Sequence, residues 1–180
     1  MQLEFDPPAE VWTHPALRVG ESIIAGRGLV ASASLSAGTV VVRLGGQLVT
    51  TDELHRLFEA AAVSGEYVDT FAVGVDLHLV LPTQTTAHYA NHSCNPSMWP
   101  VSAFELATLR PIARGEEVTI DYGLISDDEG FRMQCDCQTA ACRGVISGAD
   151  WQLADLQARY RGHWPLGLQR RIDHHNHQDR

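Results

Sequence analysis

The sequence predicts a mostly β (α+β) domain that is built from short strands and contains few helices. Runs of three to six apolar or β-branched residues recur along the chain, and Gly, Pro, Asn or Asp residues separate them. Helical periodicity is confined to one stretch after Thr50 and one near the C-terminus. A chain of 180 residues is long enough for one domain whose core needs no disulfides.

The first half of the chain is predicted as an irregular lead-in followed by strands and one helix. Residues 1–18 contain prolines and lack periodicity, and short strands begin at Glu21. The β-branched run Val40–Leu44 predicts a strand, and Gly45-Gly46 predicts a tight hairpin to a second strand over Gln47–Val49. Thr50 and Glu53 have the spacing of a capping box, which predicts a helix that ends near Gly65.

The second half is predicted to hold further strands and a C-terminal helix. Alternating patterns predict a strand pair over residues 71–81, another over 97–109 and a strand over 118–121. Asp150 is predicted to cap a helix that carries Leu153, Leu156 and Tyr160. The last residues of the chain, which include His174, His175 and His177, are predicted to be disordered.

Composition and charge restrict the possible partners. The net charge of −9 argues against nucleic-acid binding and suits a basic protein partner. No apolar run approaches the roughly 18–20 residues of a membrane span, and the first residues do not resemble a signal peptide. We therefore expect a cytoplasmic protein with no membrane association.

All 13 basic residues are arginine, and the chain contains no lysine. The codon bias of a GC-rich genome is one explanation, and the many Ala and Gly residues agree with it. An enzyme that acts on lysine would also benefit, because it could not modify its own lysines. The two explanations are compatible.

The four cysteines predict a zinc site. Cys135, Cys137 and Cys142 form a C-x-C-x4-C cluster, and Cys94 is the remaining thiol that could complete a tetrahedral set. Disulfides and free thiols are the alternatives, but disulfides are rare in the cytoplasm and two cysteines one residue apart pair poorly with each other. Zinc bound in this way would join two segments about forty residues apart.

Three further motifs are ambiguous when each is taken alone. Asn91-His92 precedes Cys94 and a Pro turn, and it is either a polar turn with a buried histidine or part of a site beside the metal. Tyr122 ends a predicted strand, where an ordinary packed aromatic is common. Residues 26–31 fit the dinucleotide pattern G-x-G-x-x-A, but a turn at residues 36–38 leaves no room for the helix that this motif requires.

Together these motifs resemble the SET-domain family of methyltransferases over residues 19–146. The segment 91–96 resembles the family pattern N-H-S-C-x-P-N, 116–123 resembles G-E-E-L-x-x-D-Y, and 135–144 resembles the post-SET pattern C-x-C-x4-C-x-G. The segment 26–28 resembles an early G-x-G. The resemblance implies a β-clip-like SET fold with a C-terminal pseudoknot, a post-SET zinc loop and a short C-terminal helix.

The resemblance also implies an activity and a set of site residues. The activity is transfer of methyl groups from S-adenosylmethionine to the side-chain amine of a lysine in a protein, with Tyr122 as the catalytic residue. The implied zinc ligands are the four cysteines, and the implied cofactor-binding residues are Gly26, Arg27, Gly28, Tyr89, Asn91, His92 and Tyr122. The implied units are a lead-in over 1–18, a SET domain over 19–125, a post-SET loop over 131–147, and a C-terminal helix and tail over 148–180.

Two positions in the implied lysine channel depart from the family. Leu44 stands where the family commonly has Tyr, and Ile120 stands where it usually has Phe or Tyr. Aliphatic residues there predict a roomier channel and hence di- or trimethylation. The same departures support an alternative function, a non-catalytic SET module that binds a protein partner and keeps zinc for structure.

Overall fold

The computed structural model describes residues 6–128 and 130–178, which form short strands and a few helices. The mostly β class predicted from the sequence is therefore confirmed. The strands are β1 Trp12–Thr13, β2 Leu17–Glu21, β3 Arg27–Ala31, β4 Val40–Arg43, β5 Gln47–Val49, β6 Thr70–Gly74, β7 Leu77–Val80, β8 Met98–Ser102, β9 Glu105–Thr108, β10 Glu117–Val118, β11 Arg132–Gln134 and β12 Val145–Ser147. The helices are α1 Thr51–Ser64, α2 Ala154–Arg159 and α3 Leu166–Gln178, and short 3-10 helices cover Thr86–Tyr89, Tyr122–Leu124 and Asp150–Gln152.

The strands form small antiparallel sheets around a shared apolar core. Their orders are β1-β4-β9-β8, β10-β3-β2, β5-β7-β6 and β11-β12. The main core contains buried side chains from the first three sheets and from the C-terminal helices, among them Leu29, Val42, Leu79, Leu106, Ile120 and Leu168. No single sheet has enough apolar surface to fold alone, so the sheets are stable only when packed on one another.

Helix α1 begins where the capping box predicted. The Thr50 hydroxyl accepts a hydrogen bond from the backbone N–H of Glu53, and the Glu53 carboxylate accepts one from the backbone N–H of Thr50. The helix ends at Gly65, whose φ of 75° lies in the left-handed region that favours glycine. Both boundaries are determined by local chemistry, which explains why the sequence predicted them.

The two predicted strand pairs are also confirmed. β6 pairs with β7 across the turn at Val75 and Asp76, and β8 pairs with β9 across the turn at Ala103 and Phe104. The predicted strand over residues 118–121 is shorter than expected, because the ladder of β10 ends at Val118. The residues beyond it pair instead with a different part of the chain, described below.

The hairpin predicted at Gly45-Gly46 is wrong. β4 lies between β1 and β9, whereas β5 pairs with β7 in another sheet. Gly46 has a φ of 144°, and its N–H donates to the Pro8 carbonyl at 2.8 Å. The glycine pair carries the chain from one sheet to the next, and the N-terminal segment packs against this crossing.

Both ends of the described chain are more regular than the sequence predicted, while residues 1–5 of the predicted lead-in and 179–180 of the predicted tail lie outside the described residues. Within the predicted lead-in, Trp12 and Thr13 pair with β4, and β2 already begins at Leu17. The segment predicted to be disordered, with its three histidines, forms helix α3, which buries Leu168 and Ile172 in the core. Periodic burial of these apolar residues outweighs the polar composition of the segment.

The predicted helix from Asp150 is also corrected. Asp150 begins a 3-10 helix, and α2 starts only at Ala154. The Asp150 carboxylate accepts hydrogen bonds from the backbone N–H and the hydroxyl of Ser147, and it contacts Arg143. It therefore fixes a turn and an ion pair.

Among the described residues, no helix has the length and apolarity to cross a membrane.

Candidate active site and cysteine cluster

Two distant segments meet in a short parallel pairing at the centre of the site. The Ile120 N–H donates to the Asn91 carbonyl at 3.1 Å, and the Ser93 N–H donates to the Ile120 carbonyl at 3.0 Å. This pairing brings the Asn91-His92 motif beside the Asp121-Tyr122 motif, as the resemblance implied. In this geometry the N–H and C=O of His92 point away from Ile120, so they are free to face another group.

Tyr122 is held at both its backbone and its hydroxyl. Its backbone N–H donates to Nδ1 of His92 at 3.1 Å, and its hydroxyl donates to the Ala90 carbonyl at 3.0 Å. Burial raises the pKa of the Tyr122 phenol, and the nearby Tyr67 and Asp69 add to the rise. The hydroxyl is therefore un-ionised at neutral pH and can act as a hydrogen-bonding group rather than as a general base.

The His92 side chain connects Tyr122 to the cysteines. Its ring is 3% exposed, and its Nε2 lies 3.3 Å from the Cys94 sulfur. Because Nδ1 accepts the Tyr122 N–H, the ring proton of the neutral form lies on Nε2 and points at that sulfur. Burial lowers the pKa of His92 to about 4, so the ring is neutral at physiological pH. Both ring nitrogens of His92 therefore have partners within the protein.

Asn91 joins the glycine segment to this centre. Its side-chain N–H2 donates to the Arg27 carbonyl at 2.9 Å and to the Glu117 carboxylate at 2.7 Å. The Arg27 guanidinium lies over the Tyr89 ring, 4.8 Å from its centroid. The structure thus gathers the predicted cofactor-binding residues Gly26, Arg27, Gly28, Tyr89, Asn91 and His92 around one region, although their binding role stays a prediction.

Gly28 is required by an internal contact. A Cβ on this residue would overlap the Glu117 carboxylate and approach the Asn91 side-chain nitrogen at 3.1 Å. The Ser22 hydroxyl donates to the same Glu117 carboxylate at 2.8 Å. The resemblance implied that Gly28 contacts the cofactor, and the structure supplies a second reason for glycine here: a Cβ would displace the Glu117 carboxylate from its present position.

The four cysteines predicted as zinc ligands lie together. The sulfurs of Cys94, Cys135, Cys137 and Cys142 are all within 4.8 Å of one another. Zinc–sulfur bonds of about 2.3 Å in a tetrahedron separate the sulfurs by about 3.8 Å, and the Cys94 and Cys135 sulfurs are 3.7 Å apart. That distance excludes a disulfide between the two. The cluster therefore fits a tetrahedral zinc ion.

Backbone donors surround these sulfurs. The Arg143 N–H donates to the Cys94 sulfur at 3.3 Å, and the Gly144 N–H donates to the Cys142 sulfur at 3.4 Å. Such donors stabilise thiolates. Ile146 is buried beside the cysteines, and the rings of Tyr122 and Phe131 pack on the same cluster. The cysteine loop, residues 131–147, is thus in direct contact with the candidate catalytic tyrosine.

A cavity of about 430 Å³ opens beside Tyr122. Ile120 lines it, together with apolar residues from β6, the Ala90 turn and the cysteine loop. Leu44, the other predicted channel residue, is 2% exposed in the main core and is not part of this lining. Its contact with a lysine stays a prediction, while Ile120 and Tyr122 share the wall of one cavity.

A buried ion network that no sequence motif predicted lies behind Tyr122. The fully buried Asp121 carboxylate accepts two hydrogen bonds from Arg143 at 2.7 and 2.6 Å and one from the Tyr160 hydroxyl at 2.9 Å. Arg143 also contacts Asp150. Burial alone would raise the pKa of Asp121, but the hydrogen bonds and charge of Arg143 outweigh it and hold the pKa below the usual range.

Asp121→Asn should therefore destabilise the protein by roughly 3 kcal/mol at neutral pH, because it leaves a buried guanidinium with one carboxylate fewer. The matched control is Glu105→Gln, which breaks the exposed Arg43–Glu105 pair and should lower stability by at most about 1 kcal/mol. Urea unfolding of both variants measures the difference. Equal urea midpoints for the two variants would show that the buried network contributes no more to stability than an exposed ion pair.

Comparison with known proteins supplies a family. The SET-domain family model matches residues 26–123. The chain is 29% identical over 145 residues to the histone-lysine N-methyltransferase ash1 of Drosophila melanogaster, and 29% identical over 146 residues to histone-lysine N-methyltransferase 2B of Homo sapiens. It is 26% identical over 161 residues to the histone-lysine N-methyltransferase Su(var)3-9 of Drosophila pseudoobscura pseudoobscura.

These matches cover much of this chain but little of the relatives. They include 74%, 73% and 74% of the chain, respectively, and 6%, 5% and 25% of the three relatives. The similarity is therefore confined to one region of much longer proteins. The SET-domain match over residues 26–123 contains the segments that meet at Tyr122.

Proposed function

The chain belongs to the SET-domain family, and from this premise we propose that it transfers methyl groups from S-adenosylmethionine to the side-chain amine of a lysine in a protein substrate. The observation that carries the proposal is the position of Tyr122. Its hydroxyl is fixed by Ala90 at the wall of the cavity, while its backbone is bonded to the His92 ring beside the glycine segment. One tyrosine thus adjoins a cavity for an amine and a region suited to a cofactor.

The region around Asn91 has the chemistry to hold the cofactor. S-adenosylmethionine supplies a sulfonium methyl group, an amino-acid portion and an adenine. The outward N–H and C=O of His92 offer a donor and an acceptor for a planar base. Arg27 and Tyr89 stack beside them, and Asn91 holds the glycine segment in place. We assign cofactor binding to these residues.

The cavity suits a lysine chain and its amine. Its apolar walls include Phe71, Ile120 and Phe131, against which four methylenes can pack. Surroundings of this kind disfavour the charged ammonium and so favour the neutral amine that can accept a methyl group. The Tyr122 hydroxyl can orient that amine. Positioning of this type supplies much of the rate enhancement in a two-reactant transfer.

The substrate is proposed to be basic. The chain carries a net charge of −9, and Asp69, Asp127 and Asp128 line the cavity beside the apolar walls. A lysine-rich protein would be attracted to such a surface and its lysine guided to the opening. Histone-lysine methyltransferases are among the similar proteins, which agrees with a lysine-bearing protein substrate.

We also propose that the cysteine loop holds one structural zinc ion. The ion would connect Cys94, which lies beside His92, to the cysteine loop that packs on Tyr122. Zinc bound by four thiolates has no open position for a substrate, so it would not take part in the transfer. The C-x-C-x4-C spacing of the loop is explained by this closure and needs no catalytic role for the metal.

The alternative is a non-catalytic SET module that binds a protein partner. The aliphatic residues at Leu44 and Ile120 favour it, because they remove aromatic side chains that the family commonly has. Radiolabelled methyl transfer onto a mixture of lysine-rich proteins separates the two functions. Label on a substrate lysine supports the enzymatic function. Loss of that label when the Tyr122→Phe variant is used shows that this chain, and not a contaminant, transfers the methyl group. Since the chain has no lysine, its own band should stay unlabelled on lysine.

Ile120→Tyr should shift the product toward fewer methyl groups. Ile120 is 1% exposed on the cavity wall and offers no hydroxyl to the amine, so a methylated amine can still rotate for a second transfer. We expect di- or trimethyl product from the natural chain and mainly monomethyl product from the variant. Mass spectrometry of a peptide at long times, with excess cofactor, measures this. Ile120→Val is the control that adds no hydroxyl, and exclusive monomethylation by the natural chain would contradict the prediction.

A further inference from the structure

A histidine and an aspartate form a pair on the wall of the same cavity. Nδ1 of His88 lies 3.4 Å from the Asp69 carboxylate, and the Tyr67 ring packs edge-on against the imidazole with a centroid separation of 4.8 Å. Tyr67, Asp69 and His88 all line the cavity, as do Ile120 and Tyr122. The His88 side chain is 35% exposed, so it can exchange protons with water.

The orientation of the imidazole determines what it can do. Because Nδ1 faces the carboxylate, it carries the proton in the neutral ring, and Nε2 is left as the base. Asp69 holds the ring in this tautomer and stabilises the imidazolium that forms when Nε2 takes a proton. A carboxylate that orients a histidine is the usual arrangement for a general base.

The shared cavity wall brings this pair close to the reacting groups. Asp69 and Tyr67 line the same cavity as Tyr122. His88 is two residues from Ala90, whose carbonyl accepts the Tyr122 hydroxyl. Within the described part of the chain, the His88 ring contacts Asp69, Tyr67 and the edge of Tyr89.

We propose that His88, oriented by Asp69, is the base that removes the proton from the substrate lysine before methyl transfer. The inference rests on the proposed function, and it assigns a step that Tyr122, whose hydroxyl donates to the Ala90 carbonyl, leaves open. A free lysine has a pKa near about 10.4, so only about one in a thousand is neutral near pH 7.4. The apolar cavity favours the neutral amine, and a base on its wall gives the departing proton a path to solvent.

The step balances in protons and electrons. The N–H bond of the lysine ammonium breaks, its proton moves to Nε2 of His88, and the electron pair stays on the amine nitrogen. That pair forms the new bond to the methyl carbon as the carbon–sulfur bond of S-adenosylmethionine breaks. His88 then releases its proton to solvent and is ready for the next transfer. Each methyl group added requires one such proton removal.

The charged and titratable groups around His88 set its working range. Asp69 and Tyr67 face it from the segment after α1, Tyr89 adjoins it in its own 3-10 helix, and Arg27 of β3 lies behind Tyr89. Tyr122, Asp127 and Asp128 share the cavity. The hydrogen bond to Asp69 raises the pKa of His88 above its ordinary value of about 6.5. The neutral imidazole that can accept a proton is therefore favoured at a higher pH than in a free histidine.

The test compares pH–rate profiles of His88→Gln with those of the natural chain, using a lysine peptide and saturating S-adenosylmethionine. Near pH 7.5 the variant should turn over roughly 100-fold more slowly, as is typical when a general base is lost. The difference should shrink to a few-fold near pH 10, where hydroxide deprotonates the amine. His55→Gln, an exposed histidine on α1 outside the cavity lining, should leave the profile unchanged.

A second measurement follows the imidazole without any turnover. In NMR titration, the His88 signal, assigned by its loss in His88→Gln, should titrate above pH 6.5 in the natural chain and lower in Asp69→Asn. The role of His88 is overturned if the ratio of the rates of the natural chain and His88→Gln is the same at every pH, or if His88 titrates below pH 6.5. Neither result contradicts the proposed methyl transfer. A natural chain that methylates no lysine overturns the proposed function and this inference with it.

Discussion

Tyr122→Phe should reduce turnover by roughly 100-fold or more while leaving the affinity for S-adenosylmethionine within a few-fold of its natural value. The hydroxyl that is lost lies on the cavity wall, where it can orient the amine. Loss of one positioned hydrogen-bonding group at a reacting centre commonly has an effect of this size. The backbone bond from residue 122 to His92 survives the change, so the region proposed for the cofactor stays intact.

A rate assay and calorimetric binding measure the two quantities separately. Tyr160→Phe is the matched control, since it also removes a buried tyrosine hydroxyl, there from Asp121, and does not touch the cavity. It should reduce stability by about 1 to 3 kcal/mol yet keep turnover within about tenfold. A folded Tyr122→Phe variant that turns over normally would remove Tyr122 from the catalytic list.

Removal of zinc should abolish cofactor binding and unfold the cysteine loop. Four thiolates within 4.8 Å repel one another without a cation, and the apparent binding free energy of a structural zinc is about 10–16 kcal/mol. That is comparable with the whole stability of a typical domain, about 5–15 kcal/mol. Because Cys94 contacts His92 and the loop packs on Tyr122, disorder in the loop should spread to the site.

Elemental analysis should find one zinc per chain, and a chelator should lower the Tm and the cofactor affinity together. Cys94→Ser should reproduce both effects, and adding zinc back to the chelated natural chain, but not magnesium, should reverse them. Protein that is purified without chelator and holds no zinc would contradict the assignment. So would a zinc-free chain whose Tm and affinity are unchanged.

The sequence by itself determined the features that depend on local chemistry. The capping box at Thr50 and Glu53 defined the start of α1, because its hydrogen bonds join residues three apart. The alternating patterns of 71–81 and 97–109 defined two strand pairs with short turns. The cysteine count predicted a four-thiol cluster, since no spare cysteine allowed another set. Motif order then indicated which segments meet, although the roles of the site residues stay predictions.

Only the tertiary structure decided the relations between distant segments. Gly45-Gly46 has the composition of a hairpin, yet β4 and β5 enter different sheets, where β4 pairs with β1 and β9 and β5 pairs with β7. The polar α3 segment is ordered because a few apolar residues bury against the core. Arg143 bonds Asp121, and His88 pairs with Asp69, across separations that no local pattern encodes. Buried ion pairs and cavity walls arise from packing in three dimensions, so their members become recognisable only when the chain is folded.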